Sequence, residues 1–137
     1  MKGIVLDASV AANWLLEEAL GDTAKRVLDH MEAGEPVFVP SLWVLEIASV
    51  LFNAERRKRI DRSHRDAALS KVERLPVTIC ASPTLADLNV LRSYAERHQL
   101  TVYDAEYLRV AKELKLALAT QDGNLLAAAK REKVPVL

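Results

Sequence analysis

Four acidic residues stand in stretches otherwise suited to burial: Asp7, Glu46, Asp104 and Asp122. Asp7 interrupts the apolar run "GIVLDASVAANW". A carboxylate there is costly unless paired, solvated or bound to a cation. Glu46 interrupts "LWVLEIASVLF", where almost every neighbour is apolar, and Asp104 lies in "LTVYDAEYLRVA" near an expected helix start. Asp122 follows "LALAT". Clustered carboxylates without basic partners are the hard oxygen donors that Mg²⁺ or Mn²⁺ requires. Two unit charges ~4 Å apart repel by roughly 4 kcal/mol at an effective dielectric near 20. A converging quartet therefore needs a cation, and such a cation acts on phosphate esters. Each acid alone also has a plain structural account. Asp7 and Asp104 suit helix N-caps, Glu46 suits an arginine partner, and Asp122-Gly123 suits a turn. The chemistry rests on the four together.

Convergence requires elements to carry them. Gly3 to Leu6 reads as a buried strand ending at Asp7, followed by a helix with Ser9 near its start. "DTAKRVLDHMEAG" reads as a second helix, with Asp22 as N-cap and Gly34 as terminator. "PVFVP" is a strand, and Ser41 opens the long helix "LWVLEIASVLFNAERRKR", whose apolar residues recur at helical spacing. Asp61 or Ser63 opens the next helix, which runs to about Arg74, and Leu75 to Cys80 forms a third strand. Ser82-Pro83 suits an N-cap followed by proline for the helix through "TLADLNVLRSYAERH". "TVYDAEYLRVAKELK" is helical, "LALAT" a strand, and "DGNLLAAAKREK" a last helix before "VPVL". Strands alternating with helices predict an α/β fold, a short parallel sheet covered on both faces. In such sheets ligands bind outside the carboxyl ends of the strands, where Asp7 and Asp122 fall.

At 137 residues, with no linker, repeat or low-complexity tract, residues 1–137 suit one domain. Nineteen basic and nineteen acidic residues balance, which disfavours a pure nucleic-acid binding module resting on many phosphate contacts. It leaves room for an enzyme with a local basic strip, and "ERRKRIDRSHR" is the most basic segment. That strip reads either as a solvated helix end complementing the macrodipole or as a phosphate track. Cys80 is the only cysteine, so an intrachain disulfide is excluded. No apolar run approaches the ~20 residues of a bilayer span, and the N-terminus lacks a signal-peptide pattern. A cytoplasmic chain with no membrane partner is expected. His30, His64 and His98 show no metal-ligand spacing and read as surface residues. Trp14, Trp43 and Phe52 read as core or dimer interface.

Together, "VLDASVAANWLLEE", "VPSLWVLEIASVLFNAERRKRI" and "LTVYDAEYLRVAKELKLALATQDGNL" resemble the PIN-domain family, in particular the VapC toxins of prokaryotic toxin–antitoxin pairs. The resemblance spans nearly the whole chain in the family's order. It implies a three-layer fold with a central parallel sheet of about four to five strands. It also implies an acidic crevice that binds Mg²⁺ or Mn²⁺ and cleaves RNA phosphodiester bonds. By position, Asp7, Glu46, Asp104 and Asp122 would be catalytic and metal-holding. Ser9 and Thr120 would be the small hydroxyl residues orienting acids or water, and Asn13 would face the site less regularly. A homodimer and a small VapB-like antitoxin lying across the groove are implied likewise. Two departures stand out. Glu106 follows Asp104 as an extra outer acid or an exposed surface group, and "DGNLL" after Asp122 lacks a basic residue common there.

Rival classes are a phosphohydrolase on an α/β scaffold and a non-catalytic PIN-like RNA- or protein-binding domain. A haloacid-dehalogenase-type phosphatase needs D-x-D, but position 9 is serine. A phosphoacceptor of the receiver type needs more acids at strand ends than "LPVTIC" supplies. All four acids being present speaks against a non-catalytic domain.

Overall fold

The computed structural model describes residues 3–137. Four three-residue segments form strands: β1 (Ile4–Leu6), β2 (Val37–Val39), β3 (Val77–Ile79) and β4 (Ala117–Ala119). Around them lie α1 (Ala8–Leu15), α2 (Asp22–Glu32), α3 (Leu42–Arg56), α4 (Arg62–Glu73), α5 (Leu88–His98), α6 (Val102–Leu114) and α7 (Gly123–Arg131). A single 3₁₀ turn, Leu85–Asp87, precedes α5. The strands pair in parallel in the order β3-β2-β1-β4. The α/β class and the parallel sheet are those expected. "VPVL" adds no fifth strand, only an isolated parallel bridge between Val136 and Leu118.

With strand order β3-β2-β1-β4, the right-handed rule for parallel crossovers puts the helices between β1, β2 and β3 on one face and those between β3 and β4 on the other. The helices pack accordingly, α1 against α2 and α3, and α3 against α4; α6 packs against α5 and α7. The direction of winding reverses between β1 and β4. That makes the carboxyl ends of these two strands the topological switch point, where a crevice opens. The core follows from composition. Ile4, Val5 and Leu6 are fully enclosed, as are Trp43, Leu51, Leu108 and Leu118. Each such side chain contributes about 1.5–3 kcal/mol by leaving water. α6 is buried from Ala105 to Ala111, since it lies over β1 and β4.

Several local expectations change. Ser82-Pro83 does not open the fifth helix. Thr84 does, through a capping box in which its N–H donates to Asp87 Oδ2 at 2.7 Å. An acid three residues after the cap returns a bond that Ser82 cannot obtain. Ser82 instead donates to Ser41 Oγ, and Ser41 makes no side-chain cap on α3. Gly21, not Asp22, occupies the N-cap of α2. The histidines are not surface residues. His98 is buried with Nε2 2.7 Å from Glu132 Oε2, beside Arg97 and Lys112 on the same carboxylate. His30 and His64 are half-buried against the carbonyls of Pro36 and Leu15.

Candidate metal centre

The β1–β4 ladder brings the first two groups together. Leu6 pairs with Ala119, and the next N–H, that of Asp7, donates to the Ala119 carbonyl at 2.9 Å. Thr120 therefore arrives beside Asp7, and its hydroxyl donates to Asp7 Oδ2 at 2.6 Å. Ser9 Oγ donates to the same oxygen at 2.8 Å. Asp7 stands at the N-cap position of α1 but makes no side-chain cap bond, so capping is not its role. The backbone N–H groups of Gln121 and Asp122 then donate to Ser9 Oγ and Thr120 Oγ1, at 3.1 and 3.0 Å. These bonds lock the loop after β4 against the start of α1. Asp122 is the N-cap of α7 and accepts from Asn124 N–H at 3.3 Å.

Asp104 and Glu46 come from opposite layers. Thr101 caps α6, accepting from the Asp104 N–H at 3.1 Å, so Asp104 is not the cap and keeps its carboxylate for other contacts. Glu46 has no arginine partner; it accepts from the Tyr107 hydroxyl at 2.6 Å. Among the described residues none of the four acids forms a salt bridge. They act on one another instead. Burial pushes the Asp7 carboxyl up, the Thr120 and Ser9 hydroxyls oppose that, and Asp122 adds to it. Glu46 is raised by burial, partly offset by Tyr107, with Asp7 and Asp104 pushing further. Asp104 is pushed up to about 6, first by burial, then by Asp122 and Asp7. Burial leads each shift, and the named carboxylates add to it because like charges disfavour the ionised form.

Among the described residues, no three acidic, histidine or cysteine side chains converge on one point at ligand distance. Each acid is turned to a neutral donor or, for Asp104, to the Asp122 carboxyl. The fit to a hard divalent cation is thus one of charge and donor type. The donors are all oxygen, all anionic and without a basic partner.

Two other expected residues behave differently. Asn13 turns from the acids to brace the following loop, donating to the Ala19 carbonyl and accepting from Gly21 N–H, both at 3.1 Å. Glu106 is neither an outer acid nor exposed. It is buried and holds Arg109 through two bonds of 2.6 and 2.9 Å, because position 106 faces inward on α6. Trp43 is core, whereas Phe52 is exposed. Tyr107 was not expected at the site, although its place three residues after Asp104 puts both on one helix face. A hollow of about 500 Å³, lined by Trp14, Leu15, Leu20, Leu28 and Leu75 with Glu17, Glu18, Lys71 and Arg74 also on its wall, contains none of the four acids.

Residues 4–131 match the PIN domain family. A VapC ribonuclease of Mycobacterium bovis is 34% identical over 119 residues, 87% of this chain and 85% of its own length. Ribonuclease VapC9 of Mycobacterium tuberculosis matches to the same extent. Among solved structures, PAE2754 of Pyrobaculum aerophilum superposes with a TM-score of 0.71 at 25% identity, covering 93% of this chain and 84% of that one. FitAcB of Neisseria gonorrhoeae gives 0.67 at 21% identity, covering 98% and 96%. VapC20 of Mycobacterium tuberculosis, described as a sarcin-ricin loop cleaving toxin, gives 0.63 at 22% identity, covering 91% and 94%.

Proposed function

The chain belongs to the PIN domain family, and from that premise we propose that it is a Mg²⁺- or Mn²⁺-dependent endoribonuclease of the VapC toxin type. One observation carries the reading: four carboxylates without a basic partner gather at the β1/β4 switch point, and one is pushed up to about 6 by burial and its neighbours. Its relatives named as ribonucleases support RNA as substrate.

Asp7, Glu46, Asp104 and Asp122 are the groups that would hold the cation. A divalent ion there supplies Lewis acidity, lowering the pKa of water and offsetting charge that builds on a phosphate. The chain's own residues prepare the place. Thr120 and Ser9 orient Asp7 by occupying its Oδ2. Asp104 lies in the first turn of α6, where the helix terminus favours an anion. Asp122 is steadied by the Asn124 N–H in the first turn of α7.

The toxin reading includes two protein partners, a second copy of the chain and a small antitoxin that neutralises it. Among the described residues no helix is long and apolar enough to cross a membrane, and we place the activity in the cytoplasm. The test uses antitoxin-free protein and single-stranded RNA. Cleavage is expected with Mg²⁺ or Mn²⁺ and is lost in EDTA; equal cleavage in EDTA would sink this reading.

A further inference from the structure

Tyr107 supplies no ligand, yet its polar end reaches into the acid cluster. Its side chain is fully buried on α6, three residues after Asp104, and its hydroxyl lies 2.6 Å from Glu46 Oε1 on α3. That length is at the short end of the O–H···O range and suits a charge-assisted bond. Among the described residues Tyr107 is the one donor to the Glu46 side chain, and it addresses a single oxygen. The same pattern recurs across the cluster. Thr120 and Ser9 converge on Oδ2 of Asp7, and Asn124 N–H addresses Oδ1 of Asp122.

Glu46 differs from its three companions in length. A glutamate has one more rotatable bond than an aspartate and loses more freedom when held in one geometry. It also approaches from the opposite layer of the sheet, so the sheet ends that fix Asp7 and Asp122 cannot fix it. A buried phenol usually finds a polar partner, and a purely structural account would stop there. Yet the partner it finds is the only acid of the four that no strand end or helix terminus holds.

We propose that Tyr107 is a positioning residue of the metal centre, fixing Glu46 through Oε1 so that its other oxygen is presented to the cation shared with Asp7 and Asp104. The inference rests on the metal-dependent reading above. It makes α6 the member that sets two donors at once, Asp104 directly and Glu46 through the phenol.

Mn²⁺ binding by electron paramagnetic resonance tests it on the full chain, comparing wild type, Tyr107→Phe, Glu46→Gln and the double variant. Tyr107→Phe keeps the ring and removes only the hydroxyl. Its Mn²⁺ affinity is expected to fall roughly 10-fold, the usual cost of losing a group that orients a ligand. Cleavage lost at low Mn²⁺ should recover in excess Mn²⁺. In the Glu46→Gln background the same change should cost nothing further, because its only route of action is gone. Unchanged affinity in Tyr107→Phe, or an equal loss in both backgrounds, overturns the proposal. Should Tyr107→Phe not fold, wild type still decides. Its Tyr107 hydroxyl proton should shift during a Mg²⁺ titration with the midpoint of metal binding, and an unmoved resonance overturns the inference. Wild type that binds no Mn²⁺ at all overturns the metal-centre reading itself.

Discussion

Asp104 has a carboxyl pushed up to about 6 against an ordinary 3.8, chiefly by burial and then by Asp122 and Asp7. The folded chain therefore holds this proton more tightly than the unfolded chain. Its stabilising contribution is fully present below about pH 3.8 and is lost as pH rises through about 6. Metal-free protein should lose stability between pH 4 and pH 7, by on the order of 1 kcal/mol once solvent screening of a half-buried group is allowed for. Asp104→Asn should flatten that slope, melt at or above wild type at pH 7.5 without metal, and be inactive. Saturating Mn²⁺, at about 100 times its dissociation constant, should raise wild type by about 2.7 kcal/mol and the variant by less. A melting series across pH, with and without Mn²⁺, measures all of this. A variant that melts well below wild type, together with a wild type indifferent to Mn²⁺, would make Asp104 structural. At this scale the acids were legible because charge in an apolar run is anomalous. Tyr107 was not, since an aromatic residue in a buried helix is ordinary until its hydroxyl is seen to face Glu46.

The element that carries Glu46 ends in the most basic segment of the chain. α3 stops at Arg56, and the strip continues through Arg57, Lys58 and Arg59. All four are exposed, and Arg59 is held by Glu18 at 3.2 Å. Arg56, Arg57 and Lys58 form no salt bridge among the described residues. If the strip is a phosphate track, three charges rather than four would bear on RNA. Neutralising all four should weaken RNA binding and reduce the slope of log affinity against log salt by roughly 2, at about 0.7 per phosphate contact on a single strand. Filter binding between 50 and 200 mM salt measures it. An unchanged slope returns the strip to plain surface solvation. Helical spacing placed α6 to within one residue at each end, whereas α3 stops at Arg56, three residues short of the expected end. The start of α5 was misread because Ser82 and Thr84 both offer caps, and only Asp87, three residues after Thr84, completes a box.

Across the whole molecule, apolar side chains left in solvent favour a second copy of the chain. Leu45 and Phe52, seven residues apart, share the outward face of α3, at 75% and 39% exposure. Leu85 and Leu88, at 86% and 59%, lie before and at the start of α5. Single exposed leucines are unremarkable, but two on one helix face next to Glu46 are a surface to cover. Sedimentation velocity should find twice the 15.2 kDa chain mass, and Leu45→Asp with Phe52→Ser should return it to monomer without lowering its melting temperature. A wild-type monomer at micromolar concentration would remove the dimer from the reading.

The chain's pattern alone settled the parallel α/β class and the run of helices and singled out the four acids as candidates, because periodicity and misplaced charge are local properties of sequence. Tertiary structure decided what each polar group faces. Strand order put Thr120 beside Asp7 across 113 residues. Helix rotation buried Glu106 against Arg109, three residues away, instead of leaving it at the site. The meeting of the two layers gave Glu46 a phenol in place of an arginine. A carboxylate's role depends on its neighbours in space, and chain order does not list those neighbours until the sheet is assembled.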